Sequence, residues 1–586
     1  MRYFSDMVVD FLRDNGIDTV AFNPGASFRG LHDSLVDNSR EPEFNFYICC
    51  HEEISVAIAH GYYKASGRHM AVLVHANVGL LHASMAIFNA WCDRVPLLIL
   101  GGNGPLDASE RRPWIDWIHT SHSLATPIAP FVKWHNEPIG QWSSLEALRR
   151  AFRYMRIEAT GPVFVALDAQ TMEQELDERL AIDASELRPP PNLPPLGVAV
   201  VEQIALSLIN ADMPLLMLDY SGRNPESVAH VVSIAEMLAA IVVDQGNRYN
   251  FPNVHQANLS GVQAEDIPSP DVVFSIECQD IWGMALKIGL DFADGRVRER
   301  VKVISLDTND LHISSWGADY ERLPLPSETH LGDTVATLAL LTSAISNILA
   351  SEDASEKETR VLRRRAIAST HDIARKKWRT DAVNVAAISH APGQIPLPAA
   401  VMRIGETLET KDWVLGNTGS LTIDSLIKRL WTLDKPRGYL GLSGGAGLGY
   451  GLGAAIGGAA ALEDGRSVCV NIQADGDCLY TPSALWTAVD AQVPLLTIVI
   501  NNRAYLNSVE HARQIACQRG RDPIRAEFGT TFVNTPVNFC TIADAFGMKT
   551  FGRVEILEEL APAVSAAFDY VANERSPALL EVLTAY

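Results

Sequence analysis

The stretch "NIQADGDCLYTPSALWTAVDAQVPLLTIVINNRAY", Asn471 to Tyr505, decides the fold. "VCVNIQ", which runs into its start, and "PLLTIVI", near its end, are continuous apolar runs of strand length, as expected of strands covered on both faces. Between them "TPSALWTAVDA" reads as a helix opened by Thr481 and Pro482. Strand, helix and strand in that order predict a βαβ unit whose two strands are parallel neighbours. Asp475 and Asn502 then both emerge at the carboxyl edge of the sheet, where open α/β sheets bind ligands. A carboxylate and an amide oxygen, helped by a backbone carbonyl, are hard donors suited to Mg²⁺, which keeps water and takes phosphate oxygens as well. Gly476 lets the backbone approach phosphates, and a helix N-terminus offers free N–H groups to anions. The spacing therefore describes a metal–diphosphate site. An isolated pair of this kind also reads as a helix cap at Asp475 and a turn at Asn501–Asn502.

The same alternation of short apolar runs and helical patterns continues along the chain. "TVAFNP", "MAVLVHAN", "VPLLILGG" and "PVFVALD" precede residue 170; "MPLLMLDY", "AAIVVDQ", "DVVFSIE" and "VKVISLD" follow; "DWVLGNTG", "SVCVNIQADGD", "PLLTIVINN" and "ALLEVLTAY" form a third set. Pro-rich "LRPPPNLPPLG", Leu187 to Gly197, reads as a linker. The charged stretch "SEDASEKETRVLRRRAIASTHDIARKKWR" reads as a solvated connecting helix, and "RVRERVK", Arg296 to Lys302, as a solvated strand entry. With 586 residues, the expectation is an α/β protein of three doubly wound parallel-sheet domains, at 1–180, 195–350 and 390–586.

Composition narrows the function. A formal charge of −22 argues against a nucleic-acid partner. Eight cysteines without paired CxxC spacing read as reduced, mostly core residues. "MRYFSDMVVDFLRDNG" reads as an amphipathic helix and not a signal peptide, which makes a cytoplasmic enzyme the default. The uncharged "LGLSGGAGLGYGLGAAIGGAAAL", Leu440 to Leu462, reads as a buried Gly-rich loop leading into a tightly packed helix and not a membrane span.

"ADG" at 474 to 476, followed after 24 residues by Asn501-Asn502, resembles the thiamine diphosphate signature of Gly-Asp-Gly and Asn-Asn. Ala474 replaces the first glycine, and Arg503 stands where a glycine is common. The resemblance extends over essentially the whole chain to the family of benzoylformate decarboxylase, acetolactate synthase and benzaldehyde lyase. It implies a pyrimidine-binding, a middle and a diphosphate-binding domain, with thiamine diphosphate and Mg²⁺ as cofactors. The implied metal ligands are Asp475, Asn502 and the carbonyl of Ala504; Ser420 in "GNTGSLT" and Tyr505 lie near the diphosphate, with Gly476. Leu448 in "GGAGLGYGL" matches the bulky residue that props the cofactor into a bent shape.

The second half of the implied site is "CCHEEISVAIAHGYYKASG". Glu52, nine residues before Gly61, matches the glutamate that hydrogen-bonds the aminopyrimidine and helps activate the cofactor. Read without the family, Glu52 and Glu53 are two acids that favour a helix N-terminus. His75, 23 residues after Glu52, matches an active-site histidine of benzoylformate decarboxylase. A group titrating near neutrality suits acid/base work there, the alternative being a satisfied core histidine. In "NPGASFRG" the family's active-site serine is Ala26, with Ser27 beside it. His119 in "RRPWIDWIHTSHS" falls where related enzymes place a functional glutamine, with His122 a weaker choice. Glu510 and His511 lie in a long segment after the metal site, where Glu510 either meets a substrate hydroxyl or is an exposed helix acid.

The resemblance implies a small-molecule substrate, no membrane partner, a homodimer at minimum and a homotetramer as the common form. The first functional expectation is a 2-oxo acid decarboxylase with an aryl or hydrophobic substrate. The alternative is a carboligase or lyase on 2-hydroxy ketones or 2-hydroxyacyl-CoA thioesters, and the third a flavin-containing synthase or oxidase.

Overall fold

A computed structural model describes residues 2–37, 43–180, 191–309, 327–462 and 465–585. Among the described residues sixteen strands lie in three sheets, and every strand pair within them is parallel. The first sheet has β1 (Thr19–Phe22), β2 (Asn45–Ile48), β3 (Ala71–His75), β4 (Leu98–Asn103), β5 (Trp134–Asn136) and β6 (Val163–Asp168), in the order β2-β1-β3-β4-β6-β5. The third has β12 (Trp413–Asn417), β13 (Val468–Ala474), β14 (Leu495–Asn501), β15 (Lys549–Val554) and β16 (Ala578–Leu583), in the order β12-β13-β14-β16-β15. Their central strands are the apolar runs of the sequence: β4, β6, β14 and β16 are buried at every position. Helices cover both faces of such sheets, so no face of the strand is left for polar side chains.

These two sheets and their helices belong to one compact unit, residues 1–190, 385–424 and 440–586. Its seam is the helix Glu52–Ser66 against the helix Tyr450–Ala460. The first begins where His51 accepts the Glu53 amide, carries two acids in its first turn, and ends at Gly67 in the left-handed conformation. Glycines bring the two backbones together. A Cβ at Gly61 would sit on the Ala454 carbonyl, and one at Gly457 on the Ile58 carbonyl. Ile54 and Ile58 join Leu452 and Ile456 in one core across the seam. The Gly-rich run is therefore a packed helix after a loop, as expected. No helix among the described residues is long and apolar enough to cross a membrane.

The second unit, residues 191–384 and 425–439, holds β7 (Pro214–Leu218), β8 (Ile241–Asp244), β9 (Val272–Ile276), β10 (Lys302–Asp307) and β11 (Glu328–Leu331) in the order β11-β10-β9-β7-β8. Two sequence expectations are corrected here. The charged stretch is one helix, Ala354–Ala386, but it is more than a solvated connector: Arg363, Ile367 and His371 are buried. The Arg363 guanidinium donates to the carbonyls of Ala211, Asp212, Leu238 and Ala239, closing off helix and loop ends that would otherwise be orphaned. "RVRERVK" is a short helix, Gly295–Arg300, before β10, because Asp294 caps it and Arg298 and Arg300 sit in its last turn. Of the linker Leu187–Gly197, residues 187–190 lie outside the described residues.

Candidate active site

The acid and the amide of the opening stretch do sit at one sheet edge. β13 and β14 pair in parallel from Cys469↔Leu495 to Ala474↔Ile500, so Asp475 and Asn502 follow the ends of neighbouring strands. Asp475 opens a four-residue helix, Asp475–Cys478. Its buried carboxylate receives backbone N–H bonds from Gly476 at 2.8 Å and Arg503 at 2.6 Å. Burial outweighs these donors and pushes the carboxyl up to about 6. Asn502 Oδ1 accepts from the Ala504 amide at 2.9 Å, which tightens the loop that follows β14. A buried carboxylate held by amides alone gains from a hard cation, so the donor set fits Mg²⁺. Asn501 is turned to the core instead, where its amide donates to fully buried Glu581 at 2.6 Å.

The two departures from the family signature have local explanations. Ala474 is extended, φ −76° and ψ 143°, so no glycine is required there. Arg503 has φ +63°, a conformation that favours glycine, and its guanidinium donates to the carbonyls of Gly393 at 3.1 Å and Thr584 at 2.7 Å. Gly476 is needed for another reason than phosphate approach: a Cβ there would enter the Tyr505 ring. That ring stands edge-on to Phe532, with centroids 4.9 Å apart. Ser420 precedes the helix Leu421–Leu430, and its Oγ accepts from the Ile423 amide at 3.3 Å. Leu448 is half-buried in the loop just before Gly449, whose φ is +92°. The expected Thr481 helix start moves to Ala484, because the Thr481 hydroxyl bonds the Gly449 carbonyl at 3.0 Å instead of capping.

A second group gathers at the carboxyl edge of the first sheet. Glu52 is buried, and its Oε2 meets His82 Nδ1 at 3.2 Å. Gly79 leaves the room for that carboxylate, since a Cβ there would lie 2.8 Å from Oε1. His82 also stacks on His51, centroids 4.7 Å apart. His75 ends β3, and the next residue, Ala76, turns the chain into a helix with φ +43°. Sparsely populated backbone of this kind clusters at functional sites. The His119 ring stands perpendicular to that of His75 at 4.8 Å. Burial foremost, and then His119, lower the His75 pKa, against an opposing pull from Glu52. His75 and His119 are thus in ring contact, and the charge of Glu52, itself held by His82, is felt by the His75 ring.

Other candidates fall elsewhere. His122 and, on the helix Leu506–Gln518, Glu510 and His511 are exposed, and no bond brings Glu510 to the His75 cluster within the described residues. Sequence reasoning named Ser27 and Glu53 without their contacts and did not name His82. Ser27 Oγ lies 2.8 Å from His75 Nδ1, His82 holds Glu52, and Glu53 lies against Gly449 where Glu52 lies against Gly79. The Glu53 carboxyl lies against Gly449 and feels buried Asp477; burial and that charge push it up to about 7. "LLHASM" carried a signal for His82, since it follows Gly79 by one helical turn.

The acid–amide pair lies at the carboxyl edge of one parallel sheet and the glutamate–histidine group at the carboxyl edge of another, the edge at which α/β folds place their ligand sites. Residues 2–124 match the family described as thiamine pyrophosphate enzyme, N-terminal TPP binding domain, and residues 418–582 its C-terminal TPP binding domain. The chain is 24% identical to benzoylformate decarboxylase of Pseudomonas aeruginosa, over 98% of its own length and 97% of that protein. It is 22% identical to the acetolactate synthase isozyme 1 large subunit of Escherichia coli K12, over 99% and 93%. The thiamine diphosphate-dependent 4-hydroxybenzoylformate decarboxylase of Rhodococcus jostii RHA1 has the same fold, with TM-score 0.78 at 20% identity, covering 100% of this chain and 99% of that one. The chain belongs to the thiamine diphosphate enzyme family that includes benzoylformate decarboxylase and acetolactate synthase.

Proposed function

We propose that this protein is a Mg²⁺- and thiamine diphosphate-dependent carbon–carbon lyase that decarboxylates a 2-oxo acid with an aryl or hydrophobic side chain. The observation that carries the reading is the cluster of Glu52, His75 and His119 at the edge of the first sheet. Asp475, Asn502 and the Ala504 carbonyl would hold the metal, and Gly476, Ser420 and Tyr505 would border the diphosphate. Leu448 would support the bound cofactor. Bound thiamine diphosphate supplies a carbon nucleophile and then an electron sink for the bond that breaks. Glu52 would hydrogen-bond the pyrimidine, and its burial would keep water from competing for that bond. His75 would meet the reacting carbonyl oxygen as a hydrogen-bond donor, and His119 would fix the imidazole from the side. Exposed Trp114, Trp117 and Ile118, close in sequence to His119, would offer apolar surface to an aryl or alkyl substituent.

The active form in this reading is at least a homodimer. Within one chain the Glu52 carboxylate meets His82 and Gly79 of its own domain, while Glu53 is the acid that turns toward Gly449 and Asp477. Glu52 is thus left to serve the diphosphate edge of a second copy.

A carboligase or lyase acting on 2-hydroxy ketones is the second reading, favoured by Ala26, which has no hydroxyl to offer a substrate carboxylate. Mass spectrometry of products separates the two. The protein is loaded with Mg²⁺ and thiamine diphosphate and given a panel of 2-oxo acids, benzoylformate first, with and without an aldehyde acceptor. Aldehyde and CO₂ in equal amounts are expected. Hydroxy ketones as the main product, or no turnover until 2-hydroxy ketones or acyl thioesters are supplied, would replace decarboxylation with the second reading.

A further inference from the structure

We propose that Ser27 is a positioning residue for His75: its hydroxyl donates to Nδ1 and holds the imidazole as the neutral Nε2–H tautomer, which presents a hydrogen-bond donor to the substrate's carbonyl oxygen. The proposal deepens the role given to His75 above and rests on that reading.

Two groups of Ser27 address the same ring nitrogen. Oγ lies 2.8 Å from His75 Nδ1, and the Ser27 backbone nitrogen lies 3.4 Å from it. A backbone amide can only donate, so the nitrogen it faces carries a lone pair and not a proton. The hydroxyl, free to turn, then also donates. The ring proton of a neutral histidine must be on the other nitrogen, Nε2. Protonating Nδ1 would set N–H against N–H, so the serine turn disfavours the imidazolium. The other titratable and charged groups felt by the ring are His119 and Arg112, which oppose its protonation, and Glu52 and Asp116, which favour it.

The pair is built into the fold. Ser27 is buried in the short turn Ala26–Phe28 that follows β1. His75 pairs with Gly102 across β3 and β4. A Cβ at Gly102 would enter Ser27 Oγ, and a Cβ at Gly25 would enter the His75 side chain. Gly102 near the end of β4 and Gly25 before the Ala26–Phe28 turn thus clear the space that the serine and the histidine occupy. With His119 perpendicular on another side, the ring has one orientation available. A neutral donor fixed in this way strengthens its bond as negative charge grows on a carbonyl oxygen, with no proton transfer required. Ala26 offers no hydroxyl, so the chain uses the next residue's hydroxyl on the histidine rather than on substrate.

The test combines kinetics on benzoylformate, or on the fastest 2-oxo acid of the panel, with a readout independent of turnover. Ser27→Ala and the similarly sized, weakly donating Ser27→Cys should each lower kcat about ten-fold, the effect of losing one such hydrogen bond, with KM changed by less than about two-fold. In a His75→Ala background Ser27→Ala should cost nothing further. Histidine-selective ¹⁵N labelling, with His75 assigned by loss of its signal in His75→Gln, should show the Nε2–H pattern in the wild type and a tautomer mixture in Ser27→Ala. A loss in Ser27→Ala but not in Ser27→Cys would make the serine a packing residue and overturn the proposal. So would an Nδ1–H pattern in the wild type, or losses at Ser27 and His75 that multiply. Wild-type turnover by His75→Ala would instead remove the functional reading of His75, and the proposal with it.

Discussion

Arg503 is a non-glycine residue held in a left-handed backbone conformation, φ +63°, directly beside the acid–amide edge. Its amide bonds Asp475 and its guanidinium bonds two carbonyls, so the strain is offset by three hydrogen bonds. Arg503→Ala keeps the strain and loses the guanidinium bonds, while Arg503→Gly loses the same bonds and relieves the strain. In urea unfolding both should be less stable than wild type, and the alanine variant should be lower than the glycine variant by about 1 kcal/mol. Equal stabilities would mean that the conformation at 503 is not strained. This residue also marks what the sequence could carry. The spacing of Asp475 and Asn502 was legible because both follow strand ends that periodicity locates. Ser27, His82 and Glu53 were not legible in their roles, because each depends on which way a side chain turns once separate elements meet. The same holds for His119, now seen against His75, and for Glu510, which is exposed.

At the scale of elements, every strand singled out by its apolar run exists, and those that hydrophobicity did not single out share one property. β2, β5, β11 and β15 are all edge strands. Their residues are largely half-buried or exposed, in patterns such as exposed-half-half-exposed for β2. A central strand of a doubly wound sheet has no polar face and writes a continuous apolar run; an edge strand need not. Charged runs misled for the opposite reason, since Arg363 is charged yet buried among carbonyls. The seam between the helices Glu52–Ser66 and Tyr450–Ala460 was anticipated only as tight packing, and its partner was not readable, because glycine records a close approach without naming what approaches. A methyl group at Gly457 would collide with the Ile58 carbonyl. Gly457→Ala should therefore destabilise the protein by about 1–3 kcal/mol, as overpacking of a dense interior does. Thermal and urea melts measure this, and an unchanged midpoint would show that the seam has slack.

At the scale of the whole molecule, the chain has two ligand-facing edges in one compact unit, and the reading of its function joins the Glu52 edge of one copy to the Asp475 edge of another. Val78 and Leu81, which flank the Gly79 that admits the Glu52 carboxylate, are exposed, as are Leu421 and Tyr480 near the other edge. Apolar side chains so close to a site are expected to be covered by a second copy. The fold class was legible in the sequence because parallel α/β architecture repeats one pattern; the assembly was implied only by resemblance. It is tested most directly by subunit complementation. Glu52→Gln and Asp475→Ala proteins, each nearly inactive alone, are mixed, dissociated and reassociated, and turnover of the 2-oxo acid is measured. If the site is shared between copies, mixed dimers contain one intact site, and activity should rise to about a quarter of wild type for random pairing. Activity that stays at the level of the separate variants, in dimers proven to be mixed, would contradict a shared site.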